Sequence, residues 1–309
     1  MKILGIGNAI VDVICKVEDN FIEKNNLTKG LMKLIFDKIE FSNLLSNLKI
    51  EKTISGGSVA NSIVGLSQLG NKVGFIGKIS DDTFGIKYEE GLKKENVNFF
   101  YTKKKELLPT GTCLILVTPD SERTMCTFLG TAGKISKNDL DIKAIKESEI
   151  IFLEGYLWDE GDPKEAFEKA ISLSNNTAMS LSDKFCVDRH KSNFLNLVKN
   201  KLDLVFANEA EIMSLIDAKN FDEVIAFGKQ IKKHLIVTRG AKGAISIYNN
   251  EITEVDARKD LKIVDLTGAG DLFASGYLHG FINNFSQKEC LTKATEMSSK
   301  IIQQIGARL

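Results

Sequence analysis

The chain has 309 residues, 43% of them hydrophobic, and 41 Lys and Arg balance 41 Asp and Glu. That is ample apolar sequence for a sizeable core, near the length at which one domain gives way to two. A formal net charge of +0 gives no electrostatic reason to expect nucleic acid or an anionic membrane as partner.

The chain opens with "KILGIG", a short β-branched run that reads as a strand. The overlapping "GIGNAI" imitates a dinucleotide fingerprint, but Ile10 stands at the third glycine position. The strand-like "VDVICKVEDN" that follows is not the amphipathic helix whose N-terminus would hold a pyrophosphate, so an NAD-binding half is disfavoured. From Val13 onward "VICKVEDNFIEKNNLTKGLMKLI" lacks one clean period.

"SGGSVANS" then puts Gly56 and Gly57 before a helix carrying Ser58 and Asn61, with Val59, Ile63, Leu66 and Leu69 on one face and Gly70 as a stop. The glycines allow a ligand close to the backbone, and Asn61 offers donor and acceptor to a hydroxyl pair. A plain glycine turn with a serine N-cap explains the same letters. "KVGFIGKI" reads as a further strand, and residues 98–128 look like strands joined by turns.

"IIFLEG", "AMSLS", "LDLVFAN", "HLIVTRG" and "AISIYN" continue the strand series, with helical patterns such as "DPKEAFEKAISLS" between several of them. Alternation of this kind predicts an α/β fold with a mostly parallel sheet and helices on both sides. Asn208 and Glu211 follow "LDLVFA", while Thr238, Arg239 and Gly240 follow "LIV". In such sheets ligands collect beyond the carboxyl ends of the strands.

The last motif is "DLTGAGD", residues 265–271, between a predicted strand "KIVD" and the apolar helix "DLFASGYLHGF". Amides of Gly268, Ala269 and Gly270 at a helix N-terminus can seat an anion, and Asp271 beside them can take a proton from a hydroxyl. An ordinary glycine turn with an N-terminal aspartate is the competing reading. No Walker sequence occurs, so this is not a P-loop kinase.

Cys15, Cys113, Cys126, Cys186 and Cys290 are too scattered for a disulfide scaffold or zinc site. No leader or membrane-length apolar run is visible, and the expected location is cytoplasmic. His279, in an apolar helix, and Trp158 with Tyr156 read as structural.

Taken together, "SGGSVANS" and "DLTGAGD", with their order and separation, resemble the ribokinase-like, or PfkB, carbohydrate kinase family over nearly the whole chain. "GNAIVDV", "EGYLWD" and "LSDKFCVDRH" are similar to bacterial members described as adenosine kinases or sugar kinases. The resemblance implies a three-layer α/β/α fold over 1–309, with a small β-sheet lid built from about 13–46 and 98–128.

The resemblance also implies phosphoryl transfer from ATP, with Mg2+, to the 5′-hydroxymethyl group of a ribose-bearing molecule. Adenosine is the first choice, and a free sugar such as ribose, fructose or a keto-sugar acid is the alternative. Asp271 would be the base, with Gly268, Ala269 and Gly270 as the anion hole. Asp12, Gly56, Gly57, Asn61 and Arg123 would serve the acceptor. Asn208, Glu211, Thr238, Gly240 and Gly243, with Gly268 and Gly270, would serve the nucleotide, and Glu211 would reach magnesium through water. Leu266 stands where many members have threonine, which bears on packing and on a nearby site for a monovalent cation such as K+. Lid edges are compatible with a monomer or a homodimer.

Overall fold

A computed structural model of the chain describes residues 1–120, 122–159 and 162–309. Nine strands form one sheet in the order Glu251–Val255, Ala244–Tyr248, His234–Thr238, Leu204–Asn208, Thr177–Ser180, Ile150–Glu154, Ile3–Ile6, Val73–Ile76, Asn98–Phe99. Pairing is parallel throughout except at Ala244–Tyr248, which runs antiparallel to both its neighbours. The central strands Ile3–Ile6, Val73–Ile76 and Ile150–Glu154 are buried at every position. That is the outcome expected for apolar runs without alternation, covered on both faces.

Helices supply the covers and complete a three-layer α/β/α arrangement. Ser58–Gln68, Ala269–Ile282 and Gln287–Ile301 pack into the core on one side of the sheet. Pro163–Leu173, Lys184–Asn200, Glu209–Ile216 and Phe221–Ile231 pack on the other. The strand Ile3–Ile6 lies between Ile150–Glu154 and Val73–Ile76. There the strand order reverses, which opens a crevice at its carboxyl end.

A second, five-stranded sheet has the order Met32–Leu34, Arg123–Phe128, Gly111–Val117, Ile10–Lys16, Ile50–Ser55. Its boundaries differ from the 13–46 and 98–128 expected from sequence. Ile50–Ser55 contributes a strand paired to Ile10–Lys16, and Asn98–Phe99 instead joins the edge of the large sheet beside Val73–Ile76. The expected strand at "KIVD" does not form either. Val264 and Asp265 donate their N–H groups to the Ile302 carbonyl at 2.8 and 3.2 Å, so this stretch is anchored to a helix end instead of a strand.

One packing detail positions the site. A Cβ on Gly65 would lie 2.6 Å from Ser275 Oγ and 2.8 Å from a Leu272 methyl, so glycine lets Ser58–Gln68 and Ala269–Ile282 touch. Ser275 Oγ donates to the Ser62 carbonyl at 2.8 Å across that contact. Residues near the two helix N-termini are thereby brought together.

Candidate active site

The helix Ala269–Ile282 begins at Gly268, whose φ of 79° lies in the left-handed region that disfavours a side chain. Gly268, Ala269, Gly270 and Asp271 line a cavity of about 430 Å³ together with Asn208 and Thr238. Ala269 departs from the expectation, because its N–H donates to the Leu266 carbonyl at 3.2 Å and closes the turn. Among the described residues no acceptor faces the N–H groups of Gly268, Gly270 or Asp271. These are the amides left for an anion, at the positive end of the helix.

Asp271 joins this cavity to the neighbouring helix. Ser58 Oγ donates to its Oδ1 at 2.6 Å, and Asn61 Nδ2 donates to its Oδ2 at 3.0 Å. Gly57 is the N-cap, so Ser58 is already in the helix and its hydroxyl serves Asp271 instead of capping. Ser58 and Asn61 stand three residues apart on one face, which is why both reach the same carboxylate. Burial pushes the Asp271 carboxyl up to about 6, against the lowering effect of Ser58, Asn61 and the Arg308 charge.

On the other side of Asn61 lies a larger cavity of about 890 Å³, lined by Asp12, Ser55, Asn61, Arg123 and Arg308 among others. Asp12 projects from Ile10–Lys16 and lies against Gly56, where an added Cβ would fall 2.3 Å from its Oδ2. Burial raises its carboxyl to about 7, Arg308 opposes that shift, and Asp271 adds to it. Arg123 lines this cavity too, but its Nη1 is held 2.6 Å from Asp265 Oδ2. Asp265 also accepts from Thr267 N–H and from Gly306 N–H, so Arg123 is tied to the glycine turn.

The remaining expected residues divide. Asn208 and Glu211 form a capping box: Asn208 N–H and Nδ2 donate to the Glu211 carboxylate, and Glu211 N–H donates back to Asn208 Oδ1. Burial raises the Glu211 carboxyl to about 7. Both residues line the smaller cavity with Thr238. Gly240 and Gly243 are outside its lining and close a tight turn, in which Gly243 N–H donates to the Gly240 carbonyl at 3.0 Å. Among the described residues, no three His, Cys, Asp or Glu side chains gather as a metal cage.

Three residues enter the site without having been singled out from sequence. Glu154 is buried, accepting from Asn8 Nδ2 at 2.9 Å and from Val59 N–H at 3.1 Å, and burial pushes it to about 7. Its place at the end of the apolar run "IIFLE" was the available signal. Asp265 is the motif's first letter, yet of its three side-chain partners only Thr267 is local, while Arg123 and Gly306 come from distant segments. Arg308, with Nε 3.0 Å from Asn61 Oδ1, carries no local signal at all. Trp158 packs edge-on against Phe167 and Phe194, as core, and the five cysteines are buried and form no disulfide. No helix among the described residues is long and apolar enough to cross a membrane.

Comparison with known proteins agrees with the fold. The crystal structure of adenosine kinase from Sinorhizobium meliloti superposes with a TM-score of 0.90 at 34% identity, covering 100% of this chain and 95% of that one. A probable sugar kinase from Rhizobium etli gives a TM-score of 0.89 at 34% identity, over 99% and 94% of the two chains. Among curated proteins, a 5-dehydro-2-deoxygluconokinase of Mesomycoplasma hyopneumoniae is 26% identical over 297 residues, covering 89% of this chain and 86% of the relative. Residues 32–309 match the pfkB family carbohydrate kinase description. The chain belongs to the pfkB family, whose members are phosphotransferases acting on an alcohol group of a small molecule.

Proposed function

We propose that the chain transfers the γ-phosphoryl group of ATP to the 5′-hydroxymethyl group of a ribose-bearing acceptor, adenosine first. The observation that carries this is the position of Asp271. Its carboxylate borders the cavity with the free amides and is bonded through Asn61 to the wall of the acceptor cavity. A hydroxyl entering from the acceptor side would reach the base next to the amides that receive the transferred group.

ATP with Mg2+ supplies the phosphoryl group when bound. The chain's own residues would do the rest. The N–H groups of Gly268, Gly270 and Asp271 would hold phosphate oxygens, and Asp271 would take the proton from the acceptor hydroxyl. Asn208 and Thr238 would border the nucleotide phosphates, and Glu211, already bonded to Asn208, would act on magnesium through water. Asp12 has no hydrogen-bond donor among the described residues and would accept from sugar hydroxyls.

Names among the relatives favour two acceptors. Adenosine is supported by the 34% identical Sinorhizobium meliloti protein. A keto-sugar acid is favoured by the curated 5-dehydro-2-deoxygluconokinase. The higher identity of the first of these relatives puts adenosine ahead. The test is kcat/KM with ATP and Mg2+ for adenosine, ribose, fructose and 5-dehydro-2-deoxygluconate. Adenosine should be used best. A clear preference for the acid would replace this reading with the second one.

A further inference from the structure

The transfer chemistry above leaves Arg308 without a task. After the helix Gln287–Ile301 the chain turns back along the acceptor cavity, and Ile305, Gly306, Ala307 and Arg308 line it. The segment is fixed at several points. Gly306 N–H donates to Asp265 Oδ2 at 2.8 Å, Gln304 Nε2 to the Arg308 carbonyl at 2.7 Å, and Gln68 Nε2 to the Leu309 carbonyl at 3.1 Å. Ala307 packs against Gly268, where an added Cβ would be 2.6 Å from its Cα. The acceptor wall and the anion turn are therefore held by the same few residues.

Arg308 turns its side chain into this wall. Nε donates to Asn61 Oδ1 at 3.0 Å, while Asn61 Nδ2 donates to Asp271 Oδ2 at 3.0 Å. One amide thus stands between guanidinium and base, with its orientation fixed from both sides. Nη2 of Arg308 is shut off from solvent and meets no acceptor among the described residues. A guanidinium has only donors, so an unmet N–H away from water favours whatever ligand atom can accept from it.

We propose that Arg308 is a specificity-determining and positioning residue of the acceptor site: Nη2 donates to a neutral oxygen or ring nitrogen of the acceptor, while Nε holds Asn61 against Asp271. The proposal rests on the acceptor assignment made above. Charge adds a second role. Asp12, Asp271, Glu95 and Tyr88 face Arg308 from three segments, Tyr88 and Glu95 both belonging to the helix Thr83–Lys94 and its C-cap, and Glu154 lies beyond Asp271. The Arg308 charge favours the ionised forms of Asp12 and Asp271, whereas Arg123 is already paired with Asp265.

The experiment compares wild type with Arg308→Ala and Arg308→Lys, using whichever of adenosine, ribose, fructose and 5-dehydro-2-deoxygluconate the wild type phosphorylates fastest. Melting curves identify variants that fail to fold. Arg308→Ala should lose roughly 10–100-fold in kcat/KM for the acceptor, with the KM for ATP changed less than about 2-fold. Its kcat/KM profile should also need higher pH, because the charge that favours ionised Asp271 is gone. Arg308→Lys should restore the wild-type pH profile but keep a raised acceptor KM, since an ammonium cannot hold Asn61 and the acceptor in one planar fork. A purely structural role predicts equal losses toward both substrates with an unmoved pH profile, and that result overturns the proposal. If adenosine is refused but another acceptor shows the Arg308 pattern, only the adenosine reading falls. If no acceptor is phosphorylated, both fall.

Discussion

Asp271 and Asp12 are two carboxylates in one desolvated region, and their environments set separate pH responses. As the proposed base, Asp271 would act only when ionised, and burial holds its carboxyl up at about 6. Acceptor kcat/KM should therefore rise with pH through an acid limb near that value, and a profile flat to well below it would contradict the assignment. Ser58→Ala removes the 2.6 Å bond that favours the ionised form, so the limb should move to higher pH. Asp12 gives a stability readout instead. Its carboxyl titrates at 3.8 ordinarily and at about 7 when folded, so the folded state binds the proton more tightly. Stability is then lost as pH rises between those values, and the loss is complete above the upper one. Asp12→Asn abolishes this cost. Its melting temperature should gain on wild type across that window while acceptor use falls, and a constant difference in melting temperature would refute the burial argument.

The helices Ser58–Gln68 and Ala269–Ile282 show why the site depends on packing as well as on its polar groups. They are held together at Gly65, with Ser58 and Asn61 presented to Asp271 one to two turns away. Gly65→Val would force Ser275 and Leu272 aside. It should cost about 1–3 kcal/mol of stability and lower turnover although no polar group is altered. Wild-type kcat in a destabilised Gly65→Val would detach the base from this helix contact. The element that starts at Asn208 offers a cleaner separation of fold and chemistry. Gln at position 211 can still complete a capping box, so Glu211→Gln should fold normally. If Glu211 acts on magnesium through water, the variant needs more Mg2+ for half-maximal rate at unchanged acceptor KM, and an unshifted magnesium profile would count against that role. At this scale much was legible in the sequence. The glycine pairs and the helices after them are where the patterns put them. Ala269, however, uses its amide in the turn to Leu266, a backbone bond that letters alone do not reveal. "KIVD" has strand composition, but the Ile302 carbonyl takes the Val264 and Asp265 N–H groups in place of a neighbouring strand.

In the whole molecule, the large sheet positions the motifs and the small sheet flanks the proposed acceptor cavity through Val11, Asp12 and Ile115. The three-layer fold was readable because buried parallel strands leave long apolar runs and helices leave a 3.6-residue period. The small sheet was readable only in outline. Ile10–Lys16 and Gly111–Val117 are mostly buried, but Arg123–Phe128 alternates buried with half-buried positions and Ile50–Ser55 is exposed over its first three residues, so the sheet lacks the continuous apolar signature of the large one. Arg308 illustrates the limit more sharply, since it lies 247 residues from Asn61 in sequence and only folding makes them neighbours. If the small sheet acts as a lid, adenosine should slow hydrogen exchange in Ile10–Lys16 and Gly111–Val117 more than ribose does at the same concentration. Equal protection by both ligands would argue against a lid that senses the base. The central claim is that Asp271 deprotonates the acceptor hydroxyl beside the amides that receive the phosphoryl group. Its most direct test is single-turnover transfer of labelled γ-phosphate from ATP to adenosine by wild type and Asp271→Asn, both saturated with ATP. The account predicts label on the 5′-hydroxyl with wild type and transfer slower by roughly 10²–10⁴-fold with the variant. Transfer at the wild-type rate by folded Asp271→Asn would contradict it.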